Sequence, residues 1–169
     1  MIESTADVIV RPFNSPLEFG LRMLFLLEAA RERGADLQRL VAYDYLLVHS
    51  ADVSNGPPSV HPAVPYRGAE FLIKRDLVQS GLALMISREL IFKEFHVTGV
   101  RYRATMLTTP FLKLLRSSYS QTLRQRASWV VDRFGALHDD RLASFMDENI
   151  GRWGAEFDRI SAIADLELS

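Results

Sequence analysis

The sequence predicts a mainly α fold, a winged helix-turn-helix-like core with a small β hairpin as its wing and additional N- and C-terminal helices. Three features lead there. Residues 43–104 read as the end of a helix, a proline-punctuated loop, a second helix and a hairpin. Apolar residues recur at helical spacing on both sides of that stretch. The second hairpin strand alternates Val100, Tyr102 and Ala104 with Arg101 and Arg103, which places the arginines together on one face.

Ser15-Pro16-Leu17-Glu18 opens the first helix. Ser15 suits the N-cap, Pro16 the first turn, and Glu18 the capping-box position. The helix is expected to run to about Arg33 and stop at Gly34. Its middle, Leu21, Met23, Leu24, Phe25, Leu26 and Leu27, is apolar on nearly every side, which predicts burial in the domain or against a partner. Asp36 caps the next helix, whose Leu37, Leu40, Val41, Leu47 and Val48 share a face. Asp44 lies on that same face, so it either finds a hydrogen bond or marks a site.

Residues 51–67 hold Pro57, Pro58, Pro62 and Pro65, and Asn55-Gly56-Pro57 is a strong turn signal. A long loop stiffened in this way is expected to be ordered and to pack on something. From Gly68 the chain is helical again, with Ala69, Leu72, Ile73 and Leu77 inward, Glu70, Lys74 and Arg75 outward, and an end at Gly81. Leu82–Arg88 reads as a short strand, and Ile91–Val97 with Val100–Ala104 as a hairpin turned at Thr98-Gly99. Thr109-Pro110 opens a helix through Leu115, and that helix or a successor carries Tyr119, Leu123, Ala127, Val130 and Phe134. After Gly135, Asp139 or Asp140 caps a last amphipathic helix marked by Leu142, Phe145, Met146, Ile150, Trp153, Phe157, Ile160 and Ala164. The expected organisation is a winged-helix-like domain over 1–135, with its proline-rich loop at 51–67, and a C-terminal helix over 136–169 that packs on the domain or a partner.

Composition narrows the function classes. With 169 residues, 48% of them hydrophobic, the chain has enough apolar surface for a core of its own. It has no cysteine, which excludes disulfides and thiolate metal sites. The start, Met1-Ile2-Glu3-Ser4, lacks the basic and apolar regions of a signal peptide, and no apolar run reaches the roughly 20 residues of a membrane span. A cytoplasmic protein is expected. The net charge of −1 conceals segments of −3 (1–66), +7 (67–133) and −5 (134–169), so a basic middle lies between acidic ends. Only Lys74, Lys93 and Lys113 are lysines; the other basic groups are arginine.

Candidate sites follow from these elements. A helix followed by an arginine-bearing hairpin is a recurrent DNA-reading design, with Arg67, Lys74, Arg75, Arg101 and Arg103 as the phosphate contacts. The competing reading is a protein-docking winged helix, in which the same arginines meet carboxylates or solvent. Tyr43, Tyr45, His49, His61 and Tyr66 form an aromatic and histidine cluster. It reads as a polar seam fixing the loop, ahead of a ligand pocket. His138-Asp139 is a dipeptide used by metal-dependent phosphohydrolases, but His49, Asp52, His61 and His96 are the only other materials, and a helix cap explains Asp139 or Asp140 as well. Ser50 and Ser59 lack a GxSxG elbow, and no GxxxxGK[ST] or GxGxxG phosphate loop occurs. We expect no catalytic residue, no metal and no cofactor.

The motifs Tyr43-Asp44-Tyr45-Leu46-Leu47-Val48-His49-Ser50, Gly56-Pro57-Pro58-Ser59-Val60-His61-Pro62, Pro65-Tyr66-Arg67 and Gly81-Leu82-Ala83-Leu84-Met85-Ile86-Ser87-Arg88 resemble a known family. It is the small middle component of prokaryotic three-component ABC-ATPase conflict systems, the group that includes the Lamassu anti-phage and anti-plasmid systems. The resemblance extends through Tyr102-Arg103-Ala104-Thr105 to Arg126-Ala127-Ser128-Trp129-Val130, about half the chain in all. Where the family carries glycines near positions 51 and 89, this chain has Ala51 and Glu89. The resemblance implies an accessory subunit without catalysis, joining an SMC-like ABC ATPase to an effector, often a nuclease, in antiviral defence. With the residue reading, DNA is a candidate partner directly or through the complex, and no membrane and no small-molecule substrate are expected. Tyr43, Tyr45, His49, His61, Arg67 and Arg88 are then candidate docking or loop-fixing positions. The alternative is a free-standing winged-helix transcription regulator.

Overall fold

A computed structural model of the chain describes residues 15–62 and 67–152, and for residues 67–73 the backbone alone. In order it contains α1 (Pro16–Ala29), α2 (Leu37–Val48), a single 3₁₀ turn (Ser50–Asp52), α3 (Arg67–Ser87), β1 (Ile91–His96), β2 (Gly99–Ala104), α4 (Thr108–Lys113) and α5 (Ser118–Phe134). Residues 139–152 form a further helix, α6. The mainly α class with a small antiparallel hairpin is as expected, and the arrangement is consistent with a winged-helix-like core. Among the described residues no helix is long and apolar enough to cross a membrane.

α1 is the central element because almost every side of it is apolar. It packs against α3, α5, α2, β2 and α4. Phe19, Met23, Leu24, Phe25, Leu26 and Leu27 are all buried. Each such side chain stabilises the fold by about 1.5–3 kcal/mol relative to exposure. The Ser15 side chain accepts the Glu18 amide at 3.2 Å, and the Asp36 carboxylate accepts the Arg39 amide at 2.7 Å, so both expected N-caps are formed. α1 stops at Ala29, four residues short of the expected Arg33, and the chain turns through Gly34 at φ +63°. The turn returns Ala35 to β2, where its amide and carbonyl pair with Tyr102 at 3.1 and 2.8 Å.

The stretch Leu82–Arg88 is not a strand, and Gly81 does not end α3. The helix runs on to Ser87, with Val78, Leu82 and Met85 buried at helical spacing. Gly81 has another role. A Cβ there would stand 2.6 Å from the Gly20 nitrogen, and one at Gly20 would stand 3.0 Å from the Gly81 carbonyl oxygen. The two glycines let the α1 and α3 backbones cross in contact. A glycine read as a stop signal is a packing device, a distinction local sequence cannot make.

The hairpin forms with the register Ile91↔Ala104 through His96↔Gly99. The pair His96–Gly99 encloses Val97 and Thr98, one residue before the turn expected from Thr98-Gly99. Of the two open helical readings after the hairpin, the successor is the correct one: α4 is short, and α5 carries Tyr119, Leu123, Ala127, Val130 and Phe134. In α6, Leu142 and Met146 are buried, and the Phe145 ring lies 5.2 Å from that of Phe134. The stripe expected at Trp153, Phe157, Ile160 and Ala164 lies outside the described residues.

Candidate functional site

The centre of the molecule is polar. Arg22 on α1 donates from Nε to Asp44 Oδ1 at 2.6 Å and from Nη2 to Oδ2 at 2.9 Å. Lys74 of α3 brings Nζ to 3.4 Å from Asp44 Oδ2. Asp44 is 0% exposed, Arg22 1% and Lys74 4%, so three charges sit inside an apolar core. Burial pushes the Asp44 carboxyl up, but Arg22 and Lys74 outweigh it and hold the group below its ordinary value. Asp44 therefore finds a partner, as its position on an apolar face required.

The network continues outward. Glu18 lies 3.5 Å from Arg22 Nη1 and accepts a 2.5 Å hydrogen bond from the Tyr119 hydroxyl of α5. Because that hydroxyl donates to Glu18, it accepts from His61 Nε2 at 3.0 Å, and the two rings stack. Burial, then the nearby Arg22 charge, lowers the His61 pKa to about 4, so the ring is neutral near pH 7. Burial and then Glu18 raise the Tyr119 hydroxyl, which keeps its proton. One path of polar contacts thus joins the loop, α5, α1, α2 and α3.

The proline loop is ordered over its described part and packs as a strap. The Val60 and His61 amides both donate to the Val48 carbonyl, each at 3.0 Å. Arg126 grips the Pro58 carbonyl through Nε and Nη2 at 3.0 and 2.9 Å, and Arg133 donates to Ser54 O at 3.0 Å. Ser50 Oγ also donates to Pro58 O at 3.1 Å. At Gly56 a Cβ would stand 1.9 Å from the Ser50 carbonyl oxygen, so only glycine fits this bend.

A family profile described as MC2, ABC-three component (ABC-3C) system Middle Component 2, matches residues 12–156. The chain belongs to this family. No curated protein and no solved structure matches it. The matched span of this middle component takes in the whole polar network and the strap.

The five candidate phosphate contacts separate. Lys74 is corrected: it is buried in the ion network and cannot reach a phosphate. Its outward assignment failed because Asp44, distant in sequence, draws it inward. Arg103 donates to the Arg31 and Glu32 carbonyls at 3.0 and 2.9 Å and to Glu94 at 3.2 Å, which anchors the hairpin. Arg101 donates to Arg33 O at 3.3 Å from the surface, and Arg75 is exposed. The Arg67 side chain lies outside the described residues.

The docking candidates are mostly internal. Tyr43 is buried and accepts from Arg39 Nη1 at 2.9 Å. Tyr45 is buried and donates to Asp52 Oδ2 at 2.8 Å, and His49 is buried with its ring 5.0 Å from that of Tyr45. His61 of the loop meets Tyr119, while Arg88 is exposed. Sequence reasoning missed Arg22, Tyr119 and Arg39. Arg22 carried a signal, a lone charge within the apolar run of α1, matched by the lone Asp44 on α2. Arg39 pins α6 by donating to Asp139 at 2.9 Å and to the Leu137 carbonyl at 2.5 Å, so Asp139 serves an ion pair. Among the described residues no group of three or more His, Cys, Asp or Glu is placed to hold a metal ion.

Proposed function

We propose that this middle component is a non-catalytic accessory subunit that joins an SMC-like ABC ATPase to an effector, often a nuclease, in a cytoplasmic anti-phage or anti-plasmid assembly of Lamassu type. The observation that carries the reading is the family match over residues 12–156. The geometry supports it. Arg22, Asp44 and Lys74 are closed off from solvent, and His61 and Tyr119 are engaged in positioning the strap, so this cluster of ionisable groups serves rigidity. A rigid body with a strapped loop suits a subunit that holds two others in register.

Within that assembly Arg75 and Arg101, with Arg67, are the proposed phosphate contacts, and Arg88 is a proposed docking position. The segment 136–169 is proposed to act as a C-terminal amphipathic helix that packs on the domain or on a partner. A free-standing transcription regulator is the weaker reading, because Lys74 is buried and Arg103 is held by main-chain carbonyls. The test is a tagged pull-down from the native host at moderate salt. Recovery of a large coiled-coil ATPase and a third protein is expected. Recovery of the chain alone, or only with DNA, overturns the proposal.

A further inference from the structure

Residues 95–131 contain six basic groups and no acidic one, and the structure gathers part of this charge around a groove between α1, α4 and α5. The groove has a volume of about 570 Å³. Its floor is apolar, made by Phe25, Ala29, Leu112 and Leu115. Lys113, Arg116 and Arg124 line its basic side. Lys113 and Arg116 are exposed and have no ion pair among the described residues. Arg124 is held in place, donating from Nη2 to the Leu112 carbonyl at 3.0 Å with its guanidinium 5.7 Å from the Phe25 ring centre. Beside Lys113, Leu114 is 74% exposed.

We propose that this groove docks a segment of a partner protein that sets a large apolar side chain between carboxylates. The inference rests on the accessory-subunit reading and names the chemistry of its contact. Two features select that occupant. The apolar floor and Leu114 need apolar surface to leave water, which a phosphate backbone does not provide. The unpaired cations need carboxylates, and the fixed Arg124 has further N–H donors to offer one. At the other end Glu28 already accepts from Arg31 Nε at 3.1 Å and from Thr109 Oγ1, so its charge is matched within the chain and leaves Lys113, Arg116 and Arg124 to the occupant. A basic rim over an apolar floor steers an acidic segment inward and then buries its apolar side chain.

The test uses the complex isolated from the native host through a tag on this chain, with p-benzoylphenylalanine in place of Leu114. A second preparation carries the crosslinker in place of Leu17, which is 56% exposed near the start of α1. After irradiation the crosslinked peptide is sequenced. The expected result is a partner-protein peptide with an apolar residue flanked by Asp or Glu, captured from position 114 and not from position 17. The double substitution K113E/R116E, at exposed residues and with an unchanged melting temperature, is expected to reduce retention of that partner by about tenfold or more. A partner that co-purifies but crosslinks from position 114 to nothing overturns the groove assignment and leaves the accessory reading standing. So does a crosslink to nucleic acid or to residues 153–169 of this chain, or retention unaffected by K113E/R116E. If no partner co-purifies at all, the accessory reading fails and the groove assignment fails with it.

Discussion

Arg22 and Asp44 meet across the α1–α2 contact in a two-pronged pair, 2.6 and 2.9 Å long, with both side chains sealed from solvent. Lys74 approaches the same carboxylate from α3, so one acid holds two cations of different helices. Such a cluster fixes the register of three helices, because sliding any of them strands a charge in the core.

Asp44→Asn removes the shared acid and leaves two buried cations facing each other. The expected loss is about 3–5 kcal/mol of folding stability, read from urea denaturation at pH 7. A loss below about 1 kcal/mol shows that water reaches the site and that the cluster is not closed.

His61 gives the fold a pH dependence. Its pKa in the folded state is about 4, against 6.5 for the ordinary side chain, so between those values the unfolded chain binds the extra proton. Stability from this group is therefore full above pH 6.5 and falls as the pH drops towards 4. His61→Gln keeps a donor for the Tyr119 hydroxyl and cannot titrate. Its urea midpoint is expected to change less than that of the native protein between pH 6.5 and 4.5. Parallel curves for the two proteins exclude His61 as the source.

Gly81→Ala places a methyl group 2.6 Å from the Gly20 nitrogen and 2.8 Å from the Phe19 carbonyl carbon, both main-chain atoms that cannot step aside. Helix propensity alone favours alanine by about 1 kcal/mol. The clash is expected to prevail, with a net loss of about 1–3 kcal/mol and a lower melting temperature. A raised melting temperature shows that α1 and α3 are not in backbone contact.

Glu89 adopts φ +60°, in the left-handed region. Glu89→Gly relieves the strain at some entropic cost, and a net gain of about 0.5–1 kcal/mol in stability is expected. Calorimetric scans of the two proteins, compared side by side, measure it; an unchanged or lower melting temperature contradicts the assignment of strain.

Much of the local structure was readable from residues alone. Ser15 and Asp36 announce their helices because a short side-chain oxygen beside free amides is a local arrangement. The hairpin was legible for the same reason, since alternation and a turn lie within a dozen residues. Gly81 was misread because the chain that needs its missing Cβ, at Gly20, is remote in sequence. Lys74 was placed outward because a lysine next to an arginine on a helix is solvated unless a distant acid claims it. The strap was foreseen as ordered, but not what it packs on, because Arg126 and Arg133 reach its carbonyls from α5.

By itself the sequence determined the mainly α class, the helix starts and the hairpin, together with the resemblance that the family match later matched in kind. Those properties depend on neighbours a few residues apart. Only the tertiary structure decided which charges are internal. Arg22, Asp44, Lys74, Glu18, Tyr119 and His61 come from four helices and a loop. Their burial and pairing depend on one another across the core, and Coulomb attraction in a water-poor interior acts through space without regard to chain distance.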